Sequence, residues 1–327
     1  MVEVEHREIE ANGIRMHVAE RGEGPLVVLL HGFPESWYSW RHQIAALSDA
    51  GFRVAAPDQR GYGATERPDD VARYTLLHLV GDVVALIDAH DAPRAIVVGH
   101  DWGAPVAWHT ALLRPDRVAG VAGLSVPYTP RRRVSPMARW RDAYGDRFYQ
   151  VYFQAPGVAE RELEADVAET MRRVLIGSSG DRPRGDRGGE RLAPGVLPDG
   201  GGFLDVLRAG DTLPAWLTQA DLDVYVGEFA RTGFTGGLNW YRNQDANHEL
   251  LAPWQDAVVT PPALYMAGTR DPVVGFPGMD RIIAGLAIVA PGLRDSVMLD
   301  GCGHWTQQER PDEVSERLVA FCRDVAG

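Results

Sequence analysis

The chain has 327 residues, 45% of them hydrophobic, which suits one large α/β domain with an insertion and rules out wholesale disorder. Its formal charge of −12 excludes the basic footprint that nucleic acid or an anionic membrane surface would need. The longest apolar run, "PLVVLL", is far short of a membrane span, and the start, "MVEVEHREIE", lacks the apolar stretch of a secretion signal. Cys302 and Cys322 have no metal-pair spacing and suit a reducing compartment, so a cytoplasmic protein without a bound metal is expected.

In chain order, "REIEANGIRMHVAERG" alternates around Asn12-Gly13 and predicts a two-strand hairpin. "PLVVLLHG" (25–32) reads as a buried strand and "SWRHQIAALSDAG" (39–51) as a helix. "FRVAAPD" (52–58) is a strand, "LLHLVGDVVALIDAHD" (76–91) an amphipathic helix, and "RAIVVG" (94–99) a strand. "APVAWHTALLR" (104–114) reads as a helix, with Pro105 tolerated in its first turn, and "VAGVAGLSV" (118–126) as a strand. Strands alternating with helices imply a mostly parallel, doubly wound sheet of about eight strands. The rhythm breaks from 128 to 255, which is aromatic, arginine-rich and helical or loop-like; within it 177–202 is dense in Gly, Pro and charge and reads as a flexible loop. The sheet resumes with "PPALYMAG" (261–268) and "DSVMLDG" (295–301), and "PDEVSERLVAFCRDVA" (311–326) ends the pattern as a helix. A last strand–helix pair has too little core to stand alone. One sheet, formed by 1–127 and 256–327 and interrupted by a helical lid at 128–255, is therefore expected.

"GHDWGAPVAW" (99–108) follows a strand and has the small-x-nucleophile-x-small outline of a sharp strand-to-helix turn, a place usually held by serine and here by Asp101. A carboxylate there gains from the dipole and free N–H groups of the following helix, although a plain helix cap would also use aspartate. Two further residues favour the catalytic reading. Asp271 in "AGTRDPVV" and His304 in "LDGCGHW" fall just beyond successive strands, which gives the order nucleophile, acid, base. Carboxylates are weak nucleophiles, suited to displacing a leaving group from an alkyl carbon, such as a strained epoxide oxygen or a halide. The resulting ester would be cleaved by water activated at His304, with backbone N–H groups at Phe33 and Trp102 holding the oxyanion.

These residues resemble the α/β-hydrolase-fold epoxide hydrolases of the soluble type. The resemblance rests on "HGFPESWYSW" (31–40), "DQRGYGATERP" (58–68), "GHDWGAPVAW", "YQVYFQAPGVAE" (149–160), "GGLNWYRN" (236–243) and "GCGHWTQQERP" (301–311). It implies a small-molecule epoxide substrate, conversion to a vicinal diol without any cofactor, and two lid tyrosines that hydrogen-bond the epoxide oxygen. The match places them at Tyr149 and Tyr241, with Tyr152 a rival for the first. It also implies a structural role for Asp58 and Arg60 and a cis bond before Pro34. Trp305, beside the base, is read as lining the pocket or filling the core, His100 and His109 as packing or solvent-exposed, and Arg131–Arg133 as a solvated lid edge. Two alternatives stay open: a dehalogenase using the same Asp101, Asp271 and His304, and a non-catalytic ligand-binding relative. Oligomeric state, a homodimer included, stays open as well.

Overall fold

The structure is a computed structural model that describes residues 4–182, 192–210 and 212–326. Every residue of strand β3 (Leu26–Leu30) is buried, with Val27 and Leu29 in one apolar core and Val28 and Leu30 in another. A strand buried on both faces needs helices on both sides of its sheet, which crossover connections between parallel strands supply. Helices α1 (Arg41–Asp49) and α14 (Pro311–Ala326) close one core through Ile44, Leu47, Val314 and Leu318. Helices α2 (Leu76–Ala89) and α3 (Gly103–Leu113) close the other through Leu79, Val83, Val106 and Ala111.

The sheet has eight strands in the order β1-β2-β4-β3-β5-β6-β7-β8. The hairpin of β1 (Glu5–Ala11) and β2 (Ile14–Arg21) is antiparallel and turns at Asn12 and Gly13, both with positive φ. From β4 (Arg53–Pro57) through β5 (Ala95–His100), β6 (Val118–Leu124), β7 (Ala263–Gly268) and β8 (Leu293–Leu299) the pairing is parallel. The chain steps from β3 outward to β4, then returns to lay β5 on the other side of β3. At such a reversal the loops leaving two neighbouring strands diverge and open a crevice at their carboxyl ends. Residues 31–34, after β3, and Asp101, after β5, stand at that crevice.

Among the described residues between β6 and β7 lie seven α-helices: α4 (Pro136–Tyr144), α5 (Tyr149–Tyr152), α6 (Val158–Leu163), α7 (Val167–Ser178), α8 (Gln219–Thr232), α9 (Thr235–Arg242) and α10 (Gln244–Leu250). They cover the crevice and are tied to the sheet layer by polar contacts. The Tyr38 hydroxyl donates to Asp221 of α8 at 2.8 Å, and the Trp240 indole of α9 donates to the Arg60 carbonyl at 3.0 Å. Arg60 itself is fully buried in an ion pair with Asp82 of α2, so the "DQRGYG" segment links lid and sheet.

The structure departs from the sequence reading in a few places. Strand β8 starts at Leu293 rather than Asp295, because an edge strand that is mostly exposed carries no apolar alternation to mark its start. Two short helices, α11 (Met279–Ala284) and α12 (Leu286–Val289), fill the connection between β7 and β8. Of the loop read at 177–202, Gly177 and Ser178 belong to α7, residues 183–191 lie outside the described residues, and Val196 forms a bridge with Phe148. Arg131 is not a solvated edge: it donates to the His248 carbonyl and to Gln255. No described helix is long and apolar enough to cross a membrane.

If the lid shares its core with the sheet, truncating the buried Trp240 should unfold both together. Trp240→Ala is expected to cost about 3–5 kcal/mol, from the cavity left and the lost indole bond. Urea denaturation followed by circular dichroism measures it, and an unchanged midpoint would mean that the lid is stabilised independently.

Candidate active site

Strand β5 ends at His100 and α3 begins at Gly103, leaving two residues to reverse the chain. Asp101 takes the strain of that turn with φ +48°, a left-handed conformation that costs a non-glycine residue of order 1–3 kcal/mol. The turn is tight enough to dictate its flanks. A Cβ on Gly99 would lie 2.0 Å from the Gly103 carbonyl oxygen, and one on Gly103 would lie 2.1 Å from that of Leu30. Both positions therefore need glycine, which is the physical content of the small-x-nucleophile-x-small pattern. The Asp101 carboxylate is held outward: Oδ1 accepts the Phe33 N–H at 2.8 Å, and Oδ2 lies 3.3 Å from His304 Nε2. Trp102 stands at the N-cap of α3, where backbone N–H groups have no acceptor within the helix. The Phe33–Pro34 bond is cis.

His304 follows β8, in the loop before α13 (Thr306–Glu309), and Asp271 follows β7. Asp271 Oδ1 lies 3.0 Å from His304 Nδ1 and also accepts the Val273 N–H at 2.9 Å. The Ser125 hydroxyl is 3.1 Å from the same imidazole nitrogen. Burial disfavours charge on His304, but the two carboxylates outweigh it and hold its pKa well above the ordinary value. Burial likewise opposes ionisation of Asp271, and the facing imidazole overrides it to keep the carboxyl below its usual range. In this state the imidazole is a cation clamped between two anions.

A cavity of about 430 Å³ opens above Asp101 and His304. Phe33, Tyr149 and Trp305 line it, together with apolar side chains from Val174, Leu207 and Phe276 and the basic residues Arg182, Arg208 and Arg270. Trp305 serves both readings of the sequence: it lines the cavity, is almost fully buried, and donates its indole N–H to the Leu175 carbonyl at 2.7 Å. Tyr149 begins α5, and its hydroxyl accepts from Gln150 at 2.8 Å. Tyr241 is buried on α9 with its ring edge-on to Trp102, Phe33 and Tyr149, at 5.1, 5.5 and 6.1 Å between centroids. Burial, followed for Tyr149 by the negative charge of Asp101, pushes both phenol pKa values upward, so both hydroxyls keep their protons as donors. Tyr152 stands elsewhere, its hydroxyl committed to Glu162 at 2.9 Å.

Beneath the base lies an ion pair that sequence reasoning missed. His100, read only as packing or exposed, is fully buried with Nδ1 2.7 Å from Glu35 Oε2 and Nε2 2.7 Å from the His304 carbonyl. Both ring nitrogens face acceptors, which only a doubly protonated imidazole satisfies. Glu35 also accepts from the Gly32 N–H and from Gln307, and although burial opposes its charge, His100 holds its carboxyl down at about 2. Glu309 adds a second clamp, its carboxylate accepting the N–H groups of Gly303, Trp305 and Gly180. Asp58 accepts from Trp37 and Ala64 and pairs with His17, shaping the turn after β4. His109 donates to the Pro105 carbonyl within its own helix. Among the described residues, no three His, Cys, Asp or Glu side chains gather as metal ligands would.

A family model described as alpha/beta hydrolase fold matches residues 25–311. The chain is 51% identical to epoxide hydrolase A of Mycobacterium tuberculosis over 320 residues, which is 96% of each protein. Its structure is similar to the crystal structure of epoxide hydrolase A from Mycobacterium thermoresistibile, with a TM-score of 0.91 and 49% identity over 98% of each chain. It is also similar to an epoxide hydrolase from an endophytic Streptomyces, with a TM-score of 0.93 and 45% identity over 98% of this chain and 96% of the other.

The Glu35–His100 pair makes a stability prediction with a definite sign. A carboxyl whose pKa falls from 4.5 unfolded to about 2 folded stabilises the fold fully above pH 4.5, and that gain is lost as pH falls toward 2. Glu35→Gln should destabilise the protein at pH 7 by about 3–5 kcal/mol, because it leaves a buried imidazolium unpaired. It should also flatten the acid limb of the stability curve between pH 4.5 and 2. Thermal melts of both proteins across that range test this, and parallel acid limbs would contradict it.

Proposed function

The chain belongs to the α/β-hydrolase-fold family and is an epoxide hydrolase, and from that premise we propose how its residues divide the reaction. Asp101 Oδ2 attacks a ring carbon of the epoxide while Tyr149 and Tyr241 donate hydrogen bonds to the ring oxygen. One phenol gives its proton to that oxygen as the carbon–oxygen bond breaks. An alkoxide is a strongly basic leaving group, so this donation is what makes a carboxylate competent as the nucleophile. The product is a hydroxyalkyl ester of Asp101, whose carbonyl oxygen is Oδ1 on the Phe33 N–H. Water then adds to the ester carbon, giving its proton to His304 Nε2, and the Phe33 and Trp102 N–H groups hold the oxyanion. Collapse releases the diol and restores the Asp101 carboxylate with one oxygen from water. Between the two steps the tyrosinate takes back a proton from the His304 imidazolium, which frees Nε2 to act as the base. The proton that His304 then takes from water restores the imidazolium, and the second proton of that water goes to the departing alkoxide.

The observation that carries this reading is the split environment of the Asp101 carboxylate, one oxygen on a backbone donor and the other facing the base, at the floor of a cavity that Tyr149 lines. It also accounts for a difficulty. A base must be unprotonated, yet His304 is held charged by Asp101 and Asp271. Ester formation removes the Asp101 charge and with it part of what raises the histidine. The first step thus prepares the base for the second. Asp271 keeps the imidazole oriented throughout.

The two halves can be separated by rapid mixing with styrene oxide. Asp101→Asn is expected to abolish turnover in a freshly prepared sample with the fold intact. Tyr149→Phe and Tyr241→Phe should each slow ester formation by roughly 10²-fold while sparing ester hydrolysis, in line with one general-acid contact. Ester hydrolysis should slow about tenfold per pH unit once His304 is protonated in the ester, so the intermediate accumulates as pH falls. Intact-protein mass spectrometry reads it directly. Equal loss of both steps in the tyrosine variants would refute their assigned role.

A further inference from the structure

A second cavity, of about 250 Å³, is lined in part by Trp102 and Gln150, the neighbours in sequence of Asp101 and Tyr149 of the first. Leu76, Trp102 and Leu251 make its apolar side, and Arg131, Arg132 and Arg139 line it as well, with no Asp or Glu among the lining side chains. In a chain of net charge −12, a cavity lined by three guanidinium groups and no carboxylate is unusual. Among the described residues no ion pair joins any of the three to an acid, although the surface arginines at 114, 117 and 317 all have one. Arg132 is exposed at the cavity's edge, whereas the other two guanidinium groups are placed by contacts. Arg131 is fixed by the His248 carbonyl and Gln255, while Arg139 lies 5.4 Å from the ring centre of Trp140, which stacks on Phe148 at 4.1 Å. Burial and the neighbouring charge of Arg132 both push the Arg139 pKa down, so the arrangement stores like-charge repulsion that an anion would relieve.

We propose that this cavity is a binding site for a small organic carboxylate with an apolar body, its anionic end held by Arg131, Arg132 and Arg139 and its body against Leu76, Trp102 and Leu251. A planar carboxylate matches the forked donors of a guanidinium, and the apolar side excludes water from the pairing. The site reports to the catalytic cavity through one residue. Gln150 lines the second cavity, accepts from Gln244 at 3.0 Å, and donates to the Tyr149 hydroxyl at 2.8 Å. An occupant that displaces Gln244 or Gln150 alters the partner of Tyr149. The binding itself does not depend on the roles given to Asp101 and His304.

Isothermal titration of the intact protein with octanoate, octanol and inorganic phosphate at low salt tests the site. Octanoate should bind, octanol should bind much more weakly, and phosphate should bind less tightly than octanoate because it lacks the apolar body. Arg132→Gln and Arg139→Gln should each weaken octanoate at least about tenfold, as expected for a lost charged hydrogen bond, while Arg133→Gln, just outside the cavity, should not. The same variants should keep styrene oxide turnover when no carboxylate is present, which separates this site from the catalytic one. No octanoate binding, equal binding of octanol, or octanoate binding indifferent to Arg132 and Arg139 would each overturn the proposal.

Discussion

Asp101 is held in a left-handed backbone conformation by a turn so close that neither Gly99 nor Gly103 could bear a side chain. That constraint sets the rest of the site. It lifts the carboxylate clear of strand β5 and directs one oxygen to the Phe33 N–H, so that the first residues after β3 become part of the catalytic floor. The adjacency of β3 and β5 makes this contact possible, and it exists because the chain reverses direction between them. A strained residue of this kind persists only where surrounding packing over-determines it. Here the fully buried strands on either side supply that packing.

Charge is arranged with the same economy. His304 stands between the carboxylates of Asp101 and Asp271, and Glu35 with His100 forms a second buried pair beside it. The two imidazole rings are only 4.9 Å apart, which would be repulsive if each did not have its own carboxylate. His100 reaches the base through the His304 carbonyl, so it acts on position rather than chemistry. In the mechanism we propose, the imidazolium beside Asp101 becomes a better base once that carboxylate is esterified. One set of side chains thereby serves two steps with opposite protonation demands.

Much of this was legible in the sequence, for physical reasons that can be named. Strands β3 and β5 are continuous apolar runs, and the tight turn writes its glycines into "GHDWG". Asp271 and His304 were readable because each falls directly after a strand of the same sheet. The lid tyrosines came through resemblance alone: Tyr149 sits in an aromatic cluster whose spacing cannot tell a core ring from a working hydroxyl, and the two candidates differ only in tertiary facts, Tyr149 lining the cavity and Tyr152 bonding to Glu162. Glu35 and His100 were missed because 65 residues separate them and neither carries a local pattern. Arg132 and Arg133 are exposed as the basic run suggested, and only Arg131 was misread, because its bonds to the His248 carbonyl and Gln255 are tertiary facts that no local pattern carries.

The central claim is that Asp101 becomes covalently bound to the substrate. A single turnover in ¹⁸O-water, with enzyme in excess over styrene oxide, tests it most directly. The covalent route predicts diol without the label from the first turnover, and ¹⁸O in the protein at Asp101. Diol carrying the label at once, with an unlabelled Asp101, would mean direct hydration and would contradict the account.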